Sequence, residues 1–252
     1  MNNDFYIGWQ EKASPQIGKG MRRVIFLILL VTLAAGIALA VSQRLIGVST
    51  FEWGNLKTFS GTLEVAPYPH LLVPRTGNTD GQESFSCYLL VAQWKFGLKP
   101  QVINALDGKS VSLKGTLIYR GDQTMIEVVD GSMLADQKTP PSSLPEVIRL
   151  GQHTFTGEIV DSKCFLGVMN PGQLAPHRAC AVRCISGGVP PILFVEQKDG
   201  PPLYLLLVGA DGRSINGEIL DFVARPIQIT GEVERQGQLL ILQADPSSFK
   251  LL

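Results

Sequence analysis

Three thiols and one imidazole lie within a short stretch of this chain. Asp161-Ser-Lys-Cys164 opens it and Cys184-Ile-Ser-Gly-Gly188-Val-Pro-Pro191 closes it. A helix predicted from about Pro176 to Ser186 places His177, Cys180 and Cys184 at i, i+3 and i+7, all on one face. Gly187-Gly188 would cap that helix, and Pro190-Pro191 would stop it. Cys164 precedes it, just after a strand-like run. Three thiolates and an imidazole form a four-donor set suited to tetrahedral zinc or to soft monovalent copper. In that reading His177, Cys180 and Cys184 are helix-face ligands, and Cys164 closes the site from the strand side. Met169 would add a soft thioether, although a lone loop methionine usually packs.

The spacing Cys-x15-Cys-x3-Cys matches none of the usual zinc ribbons. Cys-x3-Cys beside a histidine also occurs in copper electron-transfer and copper-delivery proteins. Here the downstream histidine that a dinuclear copper site needs is missing, because Cys184 is followed by Ile-Ser-Gly-Gly. Two other chemistries compete with the metal. One is a disulfide among Cys164, Cys180 and Cys184, most simply from Cys164 to one of the helix cysteines, stapling the stretch to the fold. The other is thiol redox, with Lys163, Arg178 and Arg183 lowering nearby thiol pKa values. The same three cations are candidates for docking a partner. Cys-x-x-Cys and Cys-x-x-Cys-His are absent. No nucleophile elbow, phosphate loop, dinucleotide turn or His-Glu-x-x-His is present either, so no catalytic set is expected.

The remaining candidates read as ordinary structure. Cys87 alternates onto one face with Phe85, Leu89 and Val91, as a buried core thiol would. His70 sits in a loop without partner cysteines. His153 reads as a solvated linker residue, and Glu158 and Asp161 as solvated carboxylates at a strand end.

The elements that must position the cysteine stretch are strands. Phe59–Val65, Leu71–Val73, Phe85–Ala92, Ser110–Tyr119 and Met125–Val129 are short apolar runs, with a hairpin turn at Gly121-Asp122 and a short helix over Pro100–Leu106. The order then recurs. Phe155-Thr-Gly-Glu echoes Phe59-Ser-Gly-Thr, Leu203-Tyr-Leu-Leu echoes Cys87-Tyr-Leu-Leu, and Gly231-Glu-Val echoes Gly115-Thr-Leu. Ile215–Val223 takes the place of the first helix. Three strands, a helix and two strands is the order of the five-stranded OB barrel.

The expected fold is therefore mainly β: two tandem OB-like five-stranded barrels after one N-terminal transmembrane helix. The domains read as a leader over 1–23, an anchor over 24–44, a first barrel over 58–131, a linker over 132–153 and a second barrel over 154–246. Gly61 to Tyr88 spans 27 residues, whereas Gly157 to Tyr204 spans 47. The second barrel thus carries an insertion between its first two strands, and this insertion holds the cysteines. OB-folds often bind partners with that loop.

Residues 24–41 are 18 apolar or small residues without a charge, enough to cross a bilayer. Lys12, Lys19, Arg22 and Arg23 precede them, so the expected protein is single-pass in the inner membrane, with its bulk in the periplasm or outside. Ala38-Leu39-Ala40 also fits a cleaved signal peptide. The 22 basic and 22 acidic residues cancel, which disfavours nucleic acid as a partner. The expected partners are the membrane, through residues 24–44, and a membrane protein or redox protein.

Val160-Asp-Ser-Lys-Cys-Phe-Leu-Gly-Val-Met-Asn-Pro-Gly, followed by Pro176-His-Arg-Ala-Cys-Ala-Val-Arg-Cys-Ile-Ser-Gly-Gly-Val-Pro-Pro, resembles a signature in a family of uncharacterised bacterial membrane-anchored proteins. The resemblance covers roughly residues 155–195 and implies no particular activity. An anchor followed by an extracytoplasmic OB barrel is also similar in layout to the periplasmic haem chaperones of cytochrome c maturation. The His-x-x-x-Tyr motif of those chaperones is absent, so haem handling does not carry over. Three functions follow: an accessory or assembly protein that binds a metal or redox partner through the Cys/His loop, an interaction module with a disulfide-stapled insertion, or a thiol-disulfide oxidoreductase.

Overall fold

The computed structural model describes residues 15–42, 49–75, 85–136 and 145–252. The first fourteen residues of the leader, the connector over 43–48 and the Pro140-Pro141 part of the linker lie outside them. The chain divides into two compact units, Met1–Gly47 and Val48–Leu252.

The first unit holds one helix, α1 (Pro15–Ser42). Ile17–Ser42 is long and apolar enough to cross a membrane, and the side chains from Val24 to Leu30 are each at least half exposed. A signal sequence has the same character.

The second unit holds two closed five-stranded barrels. Strands β2 (Lys57–Glu64), β3 (His70–Pro74), β4 (Phe85–Val91), β5 (Ser110–Arg120) and β6 (Gln123–Val128) build the first, with β1 (Thr50–Phe51) and β7 (Leu134–Ala135) added along β5. The pairs β2–β3, β3–β4, β4–β6, β6–β5 and β5–β2 close the ring. All are antiparallel except β4–β6, between the third and fifth strands. A short helix, α2 (Pro100–Ile103), leads into β5.

The second ring uses β8 (Val147–Asp161), β9 (Pro191–Val195), β10 (Leu203–Val208), β11 (Pro226–Gln236) and β12 (Leu239–Gln243). It closes in the same order, again with third and fifth strands parallel. A final β13 (Lys250–Leu251) pairs with β11. The repeated glycines do the same work in both barrels. A Cβ on Gly61 would strike the carbonyl of Leu72, and one on Gly157 the carbonyl of Phe194, because at each point the first strand bends tightly across the second.

Two expectations need correcting. The linker read over 132–153 is strand for much of its length: β8 starts at Val147 and pairs with β11 as far as Gln236, through an irregularity at Val233/Glu234. His153 therefore lies on a strand, exposed and stacked on Phe155. In the second barrel Ile215–Val223 supplies only a single tight turn over Leu220–Phe222 where the first has α2.

Alternation along the strands sorts the side chains into three cores. Leu71, Leu90 and Ile126 fill the first barrel, and Leu193, Leu205 and Leu242 fill the second. Their neighbours Leu72, Leu89, Met125, Ile192, Leu206 and Ile241 point outward, yet they too are buried, in one shared cluster. The outer faces of β3–β4–β6 and β9–β10–β12 therefore pack on each other. Both faces of these strands are apolar because both are covered. Cys87 lies in this interface and is 6% exposed. The face that OB-folds commonly offer to oligonucleotides is, in both barrels, covered by the other.

Candidate metal centre

The insertion runs from the end of β8 to the start of β9. It opens with a wide turn over Cys164–Val168 and continues as helix α3 (Leu174–Ser186). Glu158 receives the Leu174 N–H on its Oε1 at 2.5 Å, placing a carboxylate at the positive end of the helix. At the other end Gly188, at φ 97°, turns the chain, while its N–H bonds Ile185 O and the Val189 N–H bonds Cys184 O. This is the glycine-terminated cap expected from Gly187-Gly188. The Asn216 side chain secures it by donating to Ile185 O and Val189 O.

The three insertion cysteines converge. Cys164 Sγ lies 3.9 Å from Cys180 Sγ and 3.9 Å from Cys184 Sγ. All three sulfurs lie within 4.8 Å of one another, the separation that one bound ion would bridge. All four cysteines are free thiols, so no disulfide staples the insertion. Cys164 and Cys184 are buried, and Cys180, half-buried, is the most exposed of the three.

His177 stands apart from this trio, in a second group with Asp161 and Cys164. Its Nε2 meets Asp161 Oδ2 at 2.9 Å, while Asp161 Oδ1 accepts the Cys164 N–H at 2.7 Å. The helix spacing put His177 on the correct face, but i to i+7 also climbs about 10 Å along the axis. His177 falls outside the group of three sulfurs, one turn further along α3, and instead lies within 4.8 Å of Cys164 and Asp161 in a second group that could hold an ion. Asp161 is fully buried, and Glu158 is only 9% exposed. Both carboxylates thus position the insertion rather than sitting in solvent at a strand end.

The electrostatics come from both barrels. Lys95, in the loop after β4, brings Nζ to 2.5 Å from Cys180 Sγ and 3.8 Å from Cys184 Sγ. The sulfur contact to Cys180 raises the Lys95 pKa, so this group stays an ammonium. The Cys184 thiol is pulled down, first by its hydrogen bond with Cys164 and also by the Lys95 charge. Cys164 moves the opposite way, raised by that same hydrogen bond, by burial and by the Asp161 carboxylate. Cys184 is thus the easier of this pair to ionise.

Lys163, expected as a docking cation, is 2% exposed. Its ammonium pairs with Glu127 of the first barrel at 2.5 Å and donates to the carbonyls of Ala92 and Trp94 at 2.8 and 2.6 Å. A charge this deep is tolerated only when so paired. It clamps the loop that carries Lys95 and holds Trp94 at φ 62°, a conformation that costs a non-glycine residue on the order of 1 kcal/mol. Gly97 N–H bonding Gly187 O at 2.9 Å fixes the same loop to the end of α3. Arg178 also turns inward, donating to Val223 O and Asp221 O and tying α3 to the second barrel. Arg183 alone of the three cations is exposed, 5.8 Å from the Phe96 ring centre. His70 is buried at the start of β3, with Nδ1 on Tyr68 O.

Asp161 could have been found from its place three residues before Cys164, where a carboxylate caps the N–H of a following turn. Lys95 had no comparable signal, because it arrives from the other barrel. No protein-family model matches the chain, and no curated protein matches it.

Proposed function

We propose that this protein is a membrane-anchored accessory protein that binds a soft metal ion, zinc or copper, through Cys164, Cys180 and Cys184. The observation that carries the reading is the convergence of three free thiols, with Cys164 Sγ 3.9 Å from each of the other two and all three sulfurs within 4.8 Å of one another, in an insertion that one barrel carries and the other lacks. Sulfur donors about 2.3 Å from one ion sit about 3.8 Å apart in a tetrahedron and about 4.0 Å apart in a trigonal plane. A disulfide would need about 2.05 Å. Helix α1 is the anchor, with the basic leader in the cytoplasm and the barrels in the periplasm or outside. There the ion would be held for, or passed to, a membrane or redox partner.

The test is metal analysis of the full-length protein, purified in detergent without chelators. The expected result is about one zinc or copper per chain, lost in Cys180→Ser, whose half-buried side chain makes it the mildest cysteine change. Reduced protein that takes up no metal while its three insertion thiols react freely would overturn the reading. The Lys95 contact also favours a thiol-redox role, and metal-free protein turning over a model disulfide would select it.

A further inference from the structure

The number of donors the site offers narrows which ion it takes. Zinc in structural sites takes four protein ligands, and in catalytic sites three plus a water. The trio has three. His177 Nε2 is held by Asp161 Oδ2, the other oxygen of Asp161 holds the Cys164 N–H, and neither residue comes within 4.8 Å of all three sulfurs. Among the described residues, no histidine, aspartate or glutamate joins the three-thiol group, whose ligand atoms all lie within 4.8 Å of one another; His177 and Asp161 come that close to Cys164 and to each other.

A water could complete zinc only from the open side, where the less buried Cys180 lies. That side carries the Lys95 ammonium, 2.5 Å and 3.8 Å from two of the sulfurs. An ammonium has no lone pair to offer, and it repels a dication twice as strongly as a monocation at equal distance. The remaining surroundings are largely apolar: Cys164 and Cys184 pack in the inter-barrel cluster with Phe165, Leu166 and Val189.

Resting on the metal-binding reading above, we propose that the site takes a single Cu(I) ion in three-coordinate thiolate geometry. Cys164, Cys180 and Cys184 are the only ligands, and Lys95 is a capping cation that does not ligate. Soft thiolates select Cu(I), which as a monovalent d10 ion is satisfied by three sulfurs. Three thiolates and one Cu(I) carry two net negative charges in a largely buried site, and Lys95 offsets one. Cys180, the least buried of the three, is the one through which the ion enters and leaves. No redox step is involved; each thiol gives up a proton as it binds.

The test uses reduced full-length protein in detergent. Cu(I) is supplied from a chromogenic Cu(I) chelator, and Zn(II) is offered in parallel from a zinc chelator of matched strength. X-ray absorption of the copper-loaded protein provides a readout that no variant can confound. The expected result is one Cu(I) per chain, three sulfur scatterers, no nitrogen scatterer, and Zn(II) lost to its chelator. Cys180→Ser should lower Cu(I) affinity more than about 100-fold. His177→Asn, which touches only the surroundings, should lower it by no more than about 10-fold. Preferential retention of Zn(II), or a nitrogen scatterer that disappears in His177→Asn, would overturn the copper assignment and leave the metal reading standing. Failure to bind either ion, with three thiols titrating freely, would overturn both.

Discussion

Replacing Lys163 with Met tests whether the buried ammonium holds the two barrels' halves of the site together. Met keeps most of the length of the lysine stem and removes the charge and all three donors. The change leaves the Glu127 carboxylate, 9% exposed, facing an apolar partner. Breaking a buried ion pair in this way costs about 3–5 kcal/mol. The carbonyls of Ala92 and Trp94 lose their donor as well. Ala92 is half-buried and Trp94 exposed, so water can replace much of that donation and the ion pair dominates, giving a total of about 5 kcal/mol. For a unit of this size that is a fall in Tm of about 10–20 °C. The assay is thermal unfolding of wild type, Lys163→Met, Glu127→Gln and the double variant, all metal-free in chelator, because bound metal would add its own stabilisation. The double variant has no stranded charge and should recover about half the loss, whereas independent sites would add. Loss of less than about 1 kcal/mol in Lys163→Met, or a double variant worse than either single, would refute the clamp.

Gly187→Ala should weaken the same junction from the helix side. Its φ of −82° suits any residue, but a Cβ there would meet the carbonyl of Lys95, so α3 and the Lys95 loop must part; a loss of about 1–3 kcal/mol is expected, with wild-type stability in chelator-treated Gly187→Ala counting against it. His70 predicts an acid-side weakness. Burial pushes its imidazole below the usual value, so the folded chain holds it neutral while the unfolded chain protonates near pH 6.5. This contribution is complete above that pH and lost below it, at up to about 1.4 kcal/mol per pH unit. The stability gap between wild type and His70→Asn should therefore change by about 1 kcal/mol between pH 7.5 and 5.5, in favour of the variant at the lower pH; an unchanged gap would exclude His70 as the source.

The barrels were legible because each strand is a local statement: five apolar runs, spaced alike twice, with glycines at matching bends. The insertion was legible as a length mismatch between the copies. Less legible was anything that depends on what faces a residue from far along the chain. Leu89, Leu206 and Ile241 read as core in either sense, and only the structure distinguishes a barrel's inside from an inter-barrel face. Lys163 sits between Ser162 and Cys164 and reads as a surface charge until Glu127 is placed beside it. His177 shares the helix face that periodicity implies, but its grouping with Asp161 and Cys164 depends on the end of β8, which helical spacing does not describe.

The packing of the two barrels explains why the cysteines sit in this loop. Each barrel offers the same face, so equivalent loops meet equivalent loops across the interface. In one direction the segment after the third strand of the second barrel brings the Ile215 N–H to the Tyr68 hydroxyl, in the short loop between the first two strands of the first barrel. In the other direction the segment after β4 brings Lys95 to Cys180, in the enlarged loop between the first two strands of the second. The candidate metal centre therefore occupies the counterpart of a plain structural contact. The paired barrels already provide an apolar seam between a loop and its partner's strand end. Lengthening one of the two loops places thiols in that seam with a cation facing them, and leaves the other contact to hold the pair together. The cation facing the three thiols thus comes from the other barrel, whose own sequence carries no comparable cysteine cluster.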